Sequence, residues 1–238
     1  MSIHDLPRLN RERLTMSSGV TSVLRERIVD GTLPPGTRVA PDWVSREMGV
    51  SRGPVREALR ELESEGLVVV EPHRGTFVSD ITAEELRVIL IPIRFILERE
   101  ACLRALPSVT ELHFSDLEGI TKEMRRVAKE AGPDALARLV DLDVAYHKYL
   151  VDLGGQYHAA QIWQSIQPRI RAGFYRLGFQ HQDLLEIAEE HEMLLSALRT
   201  KDPETCVNAL ESHICATQLA LLDLADVKKN APVESSPA

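Results

Sequence analysis

The stretch that most constrains the fold is Ser51 to Leu67, SRGPVREALRELESEGL, because its spacing predicts a helix with two different faces. Ser51 is placed to cap this helix, Pro54 fits its first turn, and Gly66 provides its end. Apolar residues recur at i, i+4 and i+7, and arginines recur every fourth residue on another face. These residues are Val55, Leu59 and Leu62 on the apolar face, and Arg52, Arg56 and Arg60 on the basic face.

Three arginines on one ridge can meet phosphates or base edges, whereas an ordinary surface helix would pair them with neighbouring glutamates. The flanking sequence favours the first interpretation. Trp43–Val50 has the apolar spacing of a short helix, with Asp42 as its cap and Gly49 as the break before the next helix. Downstream, Leu67–Val70 and Thr76–Val78 predict two short strands joined by a turn. The pattern is a helix-turn-helix followed by a β-hairpin wing.

The segment GVSRGPVREALRELESEGLVVVEPHRGTFV, with the preceding GTLPPGTRV, resembles the winged helix-turn-helix domain of the GntR family of bacterial transcription regulators. The resemblance covers roughly residues 19–79. It implies binding to double-stranded operator DNA as a homodimer. It implies DNA contacts from Arg52 and Arg56 on the recognition helix, and from Arg74 and Gly75 on the wing. Ser51, at the start of that helix, is expected to contact phosphate, and Arg60 is expected to extend the basic ridge.

One departure from the family pattern lies at the start of the second helix. Pro41 and Asp42 stand where the family often has glutamate followed by arginine. Because that arginine commonly touches DNA, one contact is expected to be lost or supplied by Arg46.

Charge alone does not indicate a nucleic-acid partner, since the formal net charge of the 238-residue chain is −8. All 11 cationic side chains among residues 1–80 are nevertheless arginine, the residue suited to bidentate contacts with phosphate and guanine. We therefore expect binding through a small arginine patch. No stretch is apolar enough to span a membrane, and the three unpaired cysteines favour a reducing, cytoplasmic location.

Changes in composition and helix-breaking residues divide the chain into four parts. We expect a flexible tail at 1–15, a winged helix-turn-helix at 16–80, an all-α effector- and metal-binding domain at 81–227 and a disordered tail at 228–238. The sequence TAEE, from Thr82, predicts a capped helix start after the wing, and Pro92 should break or kink that helix. Later helices are separated by Gly–Pro, Gly–Gly and Asp–Pro pairs. Short connections predict a mainly α fold with an antiparallel C-terminal helical bundle.

Polar side chains interrupt three apolar stripes of this bundle. Asp143 and His147 fall in one stripe, His191 in a second, and His213 in a third with Leu210, Thr217 and Leu221. A buried histidine is most often part of a hydrogen-bonded core network. Three histidines and one carboxylate also suit a divalent transition ion and leave coordination positions open. Both interpretations remain open from the spacing alone.

The motif DVAYH at 143–147, followed by EHEMLLSAL and then His213, resembles the ligand-binding C-terminal FCD domain of the FadR subgroup, in its six-helix, VanR-like version. The resemblance implies that the four residues bind a metal, zinc or nickel being the first candidates. Arg94 resembles the arginine of the R-x-x-L-E motif in this subgroup.

Open metal positions suit a small carboxylate metabolite, with arginines completing its site. We expect effector contacts from Arg94, Arg169 and Arg171, and from Gln156, which replaces the asparagine that members commonly carry.

The sequence thus predicts a DNA-binding transcription regulator, favouring a repressor, that is not an enzyme. Two alternatives stay open. Three histidines and an aspartate also begin the sites of metal-dependent hydrolases. A purely structural metal would leave a regulator without an effector.

Overall fold

The structure, a computed structural model, describes residues 11–178 and 183–223 and divides the chain into two units, Met1–Asp80 and Ile81–Ala238. The ten residues at the start, 179–182 and the expected tail at 228–238 lie outside the described residues. No helix among those described is long and apolar enough to cross a membrane.

The first unit is a winged helix-turn-helix, as the sequence predicted. Its elements are α1 (Arg11–Val29), α2 (Pro41–Met48), α3 (Arg52–Ser64), β1 (Val68–Glu71) and β2 (Gly75–Val78). The apolar face of α3 is buried, with Val55 and Leu62 fully inaccessible, and it packs against α1. Ser17 on α1 donates a hydrogen bond to the carbonyl of Pro54, which links the two helices.

Two helix starts and one helix cap differ from the sequence prediction. Helix α1 already includes Arg11, so the segment 11–15 is helical where a tail was expected. Ser51 occupies the N-cap position of α3, but its side chain makes no capping hydrogen bond. Helix α2 begins at Pro41, which fits a first turn because its missing N–H needs no partner there. Asp42 is consequently inside the helix and does not cap it.

The wing is an antiparallel hairpin in which Val68 pairs with Val78 and Glu71 with Gly75. Gly75 has a φ of +117°, and a Cβ at this position would lie 3.1 Å from Nε of Arg38. Glycine is therefore favoured here by the backbone conformation, while the Arg38 side chain would have to shift to admit a Cβ.

The second unit is a helical bundle. Its helices are α4 (Ala83–Glu85), α5 (Ile91–Ala105), α6 (Glu111–Glu130), α7 (Ala135–Leu153), α8 (Tyr157–Gly178), α9 (Leu185–Thr200) and α10 (Pro203–Glu211). A π-helical turn, Leu86–Leu90, joins α4 to α5, and a second, Ser212–Thr217, continues α10 into helical residues 218–223. Counting each continued run once, the described part of this unit has six helices, as the resemblance implied. The predicted mainly α fold is confirmed.

Pro92 does not break the first helix of this unit. It lies in the first turn of α5, directly after the π-helical turn. The wider turn accommodates the proline, whose ring and missing N–H disrupt a regular α-helical ladder.

Helix α7 lies at the centre, against α5, α6 and α8, while α10 packs against α5 and α9. At the corner between α7 and α8, a Cβ on Gly154 would lie 2.6 Å from Cα of Ala101. The corner thus sits directly on the backbone of α5. This packing brings α5, α7, α9 and the last helix around one buried centre.

The buried face of the last helix differs from the predicted one. His213 and Leu210 are buried as expected, but Gln218 and Leu222 are buried beyond them, rather than Thr217 and Leu221. The π-helical turn accounts for the shift because it adds one residue to the helical repeat.

Candidate metal centre and nucleic-acid interface

The four side chains predicted as metal ligands come together in the second unit. One ligand atom from each of Asp143, His147, His191 and His213 lies within 4.8 Å of the others, and all four residues are buried. Helix α7 supplies the first two, one turn apart, α9 supplies His191, and the π-helical turn after α10 supplies His213.

Each imidazole is held from its outer side by an acceptor. Nδ1 of His147 lies 2.5 Å from Oε2 of Glu98, and Nδ1 of His191 lies 2.7 Å from the carbonyl of Ile187. Nδ1 of His213 lies 3.1 Å from Oε2 of Glu190. Carboxylate and carbonyl oxygens only accept, so each Nδ1 carries the proton and donates it. The three Nε2 atoms are therefore lone-pair acceptors.

These lone pairs face one another across the centre. Nε2 of His147 lies 3.0 Å from Nε2 of His213, and Nε2 of His191 lies 3.2 Å from Oδ1 of Asp143. Nε2 of His191 has no hydrogen-bond partner among the described residues. With Nδ1 protonated, Nε2 and Oδ1 of Asp143 are also both acceptors. A hydrogen-bonded core network would instead pair donors with acceptors. A cation is the group that satisfies four converging acceptors, and three imidazoles with one carboxylate suit a divalent transition metal.

Charged side chains surround the centre on the α5 side. Arg94 is 1% exposed; its Nε lies 2.8 Å from Oε1 of Glu98 and its Nη2 lies 3.4 Å from Oδ2 of Asp143. Nη1 donates to the amide oxygen of Gln218 at 2.9 Å, with that amide oriented by its hydrogen-bond partners. Trp163 also donates to Glu98, at 2.8 Å. The carboxylates of Glu98 and Asp143 are thus held in place by ion pairs with Arg94, and Glu98 also by the hydrogen bond from Trp163.

The protonation states suit metal binding. Burial raises the pKa of Glu98, but Arg94 and His147 outweigh it and lower that pKa to about 2. Burial likewise raises the pKa of Asp143, but Arg94, His147 and His191 together outweigh burial and hold that pKa well below its usual range. Burial and Arg94 lower the pKa of His147 to about 4, and burial and His191 lower that of His213 to about 3. At neutral pH the acids are ionised and these two imidazoles neutral, as coordination requires.

Only one of the four predicted effector residues contacts the centre in the described structure. Arg94 lies beside it. Arg171 pairs with Asp141, its Nε 2.8 Å from Oδ1, and Arg169 donates to the carbonyl of Ser165 on its own helix. The oxygen of Gln156 accepts from Arg104, in the orientation its partners define.

The sequence interpretation missed the outer partners of the histidines, Glu98 and Glu190. A signal for Glu98 was present, since an arginine and a glutamate four residues apart stand in the apolar run IRFILE. Such a pair on a buried face indicates an internal ion pair.

In the first unit, the arginines of α3 form an exposed row. Arg52, Arg56 and Arg60 are exposed, as is Ser51 at the helix start. On the wing, Arg74 pairs with Glu71 and its guanidinium lies 5.4 Å from the ring centroid of Phe77. Asp42 on α2 forms an ion pair with Arg52, Oδ1 lying 2.8 Å from Nε. The exposed row can face a DNA groove.

A winged helix-turn-helix unit followed by a helical bundle with a buried polar centre defines a class of protein, the two-domain DNA-binding regulators. The comparisons with known families agree. Residues 16–78 match the model of "Bacterial regulatory proteins, gntR family", and residues 90–216 match that of the FCD domain. The chain belongs to the GntR family of bacterial transcription regulators and carries an FCD domain.

Characterised relatives resemble this chain over most of their length. The gluconate operon transcriptional repressor of Bacillus subtilis (strain 168) is 28% identical over 206 residues, which cover 84% of this chain and 83% of the relative. The HTH-type transcriptional repressor RspR of Escherichia coli (strain K12) is 28% identical over 193 residues, covering 81% and 82%.

Solved structures share the fold. McbR/YncC of E. coli superposes with a TM-score of 0.72 at 22% identity, covering 89% of this chain and 98% of that one. A GntR-family transcriptional regulator from Pseudomonas syringae pv. tomato str. DC3000 gives a TM-score of 0.51 at 26% identity, covering 92% and 90%. The family consists of regulators, so the hydrolase alternative is wrong and the chain is a DNA-binding transcription regulator, not an enzyme.

Proposed function

We propose that this regulator is a repressor that binds a palindromic operator as a homodimer in the cytoplasm. We further propose that a divalent transition ion in the FCD domain forms part of the site for a small carboxylate metabolite. The observation that carries the metal proposal is the convergence of three Nε2 lone pairs and one carboxylate oxygen on a common centre.

The DNA-binding part of the proposal rests on the exposed row of α3. Arg52, Arg56 and Arg60 would enter a major groove, with Ser51 contacting phosphate at the helix start. The wing would bring Arg74 and Gly75 toward the adjoining minor groove. Two copies related by two-fold symmetry would place two α3 helices about 34 Å apart, in successive major grooves.

The proposed ion is held by Asp143, His147, His191 and His213, with zinc or nickel the first candidates. Nitrogen and carboxylate ligands suit both ions. A metal that prefers six ligands keeps two positions free beside the four protein atoms, and a carboxylate can occupy them. Such an ion supplies Lewis-acidic binding of an anionic ligand.

Charge around the centre favours an anionic effector. Glu98, Asp143 and Arg94 are buried and carry a net charge of −1, so a divalent ion would leave +1. Glu190, which is 22% exposed beside His213, is the solvent-facing acid of the site. A monoanionic ligand would offset the remaining buried charge.

The arginines would contribute differently. Arg94 would attract the carboxylate from beside Asp143 while keeping its own ion pairs. Arg169, Arg171 and Gln156 would touch the effector only after exchanging their present partners, as Arg171 would leave Asp141. Binding would control DNA affinity by favouring one arrangement of the two units, and the expected result is release from the operator.

Elemental analysis of the untagged protein tests the metal proposal. We expect about one zinc, nickel or similar ion per chain, and none in a protein carrying both Asp143→Ala and His191→Ala. Absence of metal from both proteins after incubation with excess zinc and nickel would refute it.

A metal that is purely structural is separated from an effector site by a second measurement. Small carboxylates are screened for release of a duplex selected from a random library by the native protein. Release by a carboxylate in the metal-loaded protein, lost after chelation, supports the proposal. No response to any carboxylate, with a lower unfolding temperature after chelation, assigns the ion a structural role.

A further inference from the structure

Asp42 and Arg52 form an ion pair between the two helices of the helix-turn-helix. Asp42 is the second residue of α2, and Arg52 is the first residue of α3. Oδ1 of Asp42 lies 2.8 Å from Nε of Arg52. The side chains are 64% and 63% exposed, so the pair lies on the surface at the start of the recognition helix.

Of the three arginines on the exposed face of α3, Arg52 alone is in an ion pair within the described residues. The carboxylate of Asp42 is an exposed anion beside this arginine row, so it repels phosphate. An exposed ion pair contributes little to folding, about 0–1 kcal/mol, so stability gives a weak reason for this carboxylate.

The atom that Asp42 holds determines what Arg52 can still bind. A guanidinium has five N–H donors in a fixed plane, and the Asp42 carboxylate approaches it most closely at Nε. The two terminal nitrogens remain for an acceptor pair, and O6 and N7 of guanine are such a pair in the major groove. Charge attraction to Asp42 also favours one placement of a flexible side chain before it meets DNA, which reduces the entropy lost on binding.

We infer that Asp42 is a specificity-determining residue that positions Arg52 for guanine, and that it lowers affinity for other sequences. The inference rests on the proposed contact of Arg52 with the operator. At a guanine, the Asp42–Arg52 pair stays intact and the terminal nitrogens are satisfied. At another base, the Asp42 carboxylate still lies near the phosphates, but the terminal nitrogens of Arg52 gain no guanine contact. The lower affinity for that base gives the discrimination.

The test measures binding of the full-length native protein and of Asp42→Asn to a duplex selected from a random library by the native protein. Single-base-pair variants of that duplex locate the pair read by Arg52. We expect the native protein to discriminate there by about 5- to 150-fold. Asp42→Asn should lose discrimination at that pair by about fivefold, the upper range for an exposed ion pair, and keep it elsewhere.

Two controls make the result specific. Glu47→Gln removes a neighbouring exposed carboxylate from the same helix and should leave the discrimination at that pair unchanged. Arg52→Ala reports on the contact itself and should abolish discrimination at the same pair.

Three results would overturn the inference, and they are distinguishable. Uniformly tighter binding of Asp42→Asn to every duplex, with discrimination intact, would mean that Asp42 only repels DNA. Loss at the pair with Glu47→Gln as well would assign the effect to net charge. An unchanged profile for Arg52→Ala would show that the proposed contact of Arg52 fails, whatever Asp42 does.

Discussion

At the scale of single residues, Glu98 fixes the imidazole of His147 through Nδ1 and is itself held by Arg94 and Trp163. Outer partners of this kind orient a ligand and raise its basicity. We predict that Glu98→Gln lowers the affinity for zinc by about 10- to 100-fold, measured in competition with a chromophoric chelator.

Glu100→Gln is the matched control, because Glu100 lies on the same helix in a surface pair with Arg99. Its zinc affinity should equal that of the native protein. Native affinity in Glu98→Gln would show that the glutamate does not support the ligand.

Tyr146 carries a hydroxyl that is buried and has no hydrogen-bond partner among the described residues. An unsatisfied buried polar group destabilises the folded state. We predict that Tyr146→Phe raises the free energy of unfolding by about 1 kcal/mol, measured by chemical denaturation. Tyr149→Phe is the contrast, since the Tyr149 hydroxyl donates to Asp116 at 2.6 Å. Loss of this hydrogen bond in Tyr149→Phe should lower the free energy of unfolding. Equal effects of the two substitutions on that free energy would contradict the prediction.

Sequence spacing was enough to bring together Asp143, His147, His191 and His213, because each breaks an apolar stripe at helical period. It could not supply the outer partners. Glu98 is 49 residues from His147, and nothing in the local pattern of either helix indicates that they meet. Ser51 and Asp42 were wrongly expected to form side-chain caps, because a capping residue type allows the bond without requiring it.

At the scale of elements, Gly154 sets how closely the α7–α8 corner approaches α5. A Cβ there would lie 2.6 to 2.9 Å from atoms of Ala101. We predict that Gly154→Ala lowers the free energy of unfolding by about 1–3 kcal/mol, because the two elements must separate. Gly132→Ala serves as the control, since no atom lies within 4 Å of a Cβ at that site. Chemical denaturation measures the free energy of unfolding of both variants. A native value for Gly154→Ala would show that the α7–α8 corner can move away from α5 without loss of stability.

The Gly–Pro, Gly–Gly and Asp–Pro pairs lie at helix ends in the bundle, as the sequence predicted, because such residues interrupt helices. The two π-helical turns were not predicted. The second π-helical turn places Gln218, rather than Thr217, on the buried face, where it contacts Arg94. A π-helical turn follows from tertiary packing around His213 and from buried partners, neither of which a periodic pattern contains.

At the scale of the whole molecule, the two units have separate cores, and the proposed metal site lies entirely within Ile81–Ala238. A ligand stabilises only the structure that binds it. We predict that chelation lowers the unfolding temperature of one calorimetric transition and leaves the other unchanged.

The Gly154→Ala substitution identifies the transition, because it perturbs the second unit alone. It should shift the same transition that chelation shifts. A chelator that moves both transitions equally, or neither, would contradict the assignment of the ion to this unit.

The wide sequence separation of the four ligands has a consequence for folding kinetics. His147 and His213 are 66 residues apart, so the chain must close long loops before their rings can meet. The proposed ion would therefore meet all four ligands only after the bundle has largely assembled. It should leave the folding rate nearly unchanged and slow unfolding instead, because contacts formed that late would be absent from the transition state. In a cell, the ion would then determine how long a finished regulator persists rather than how fast it is made.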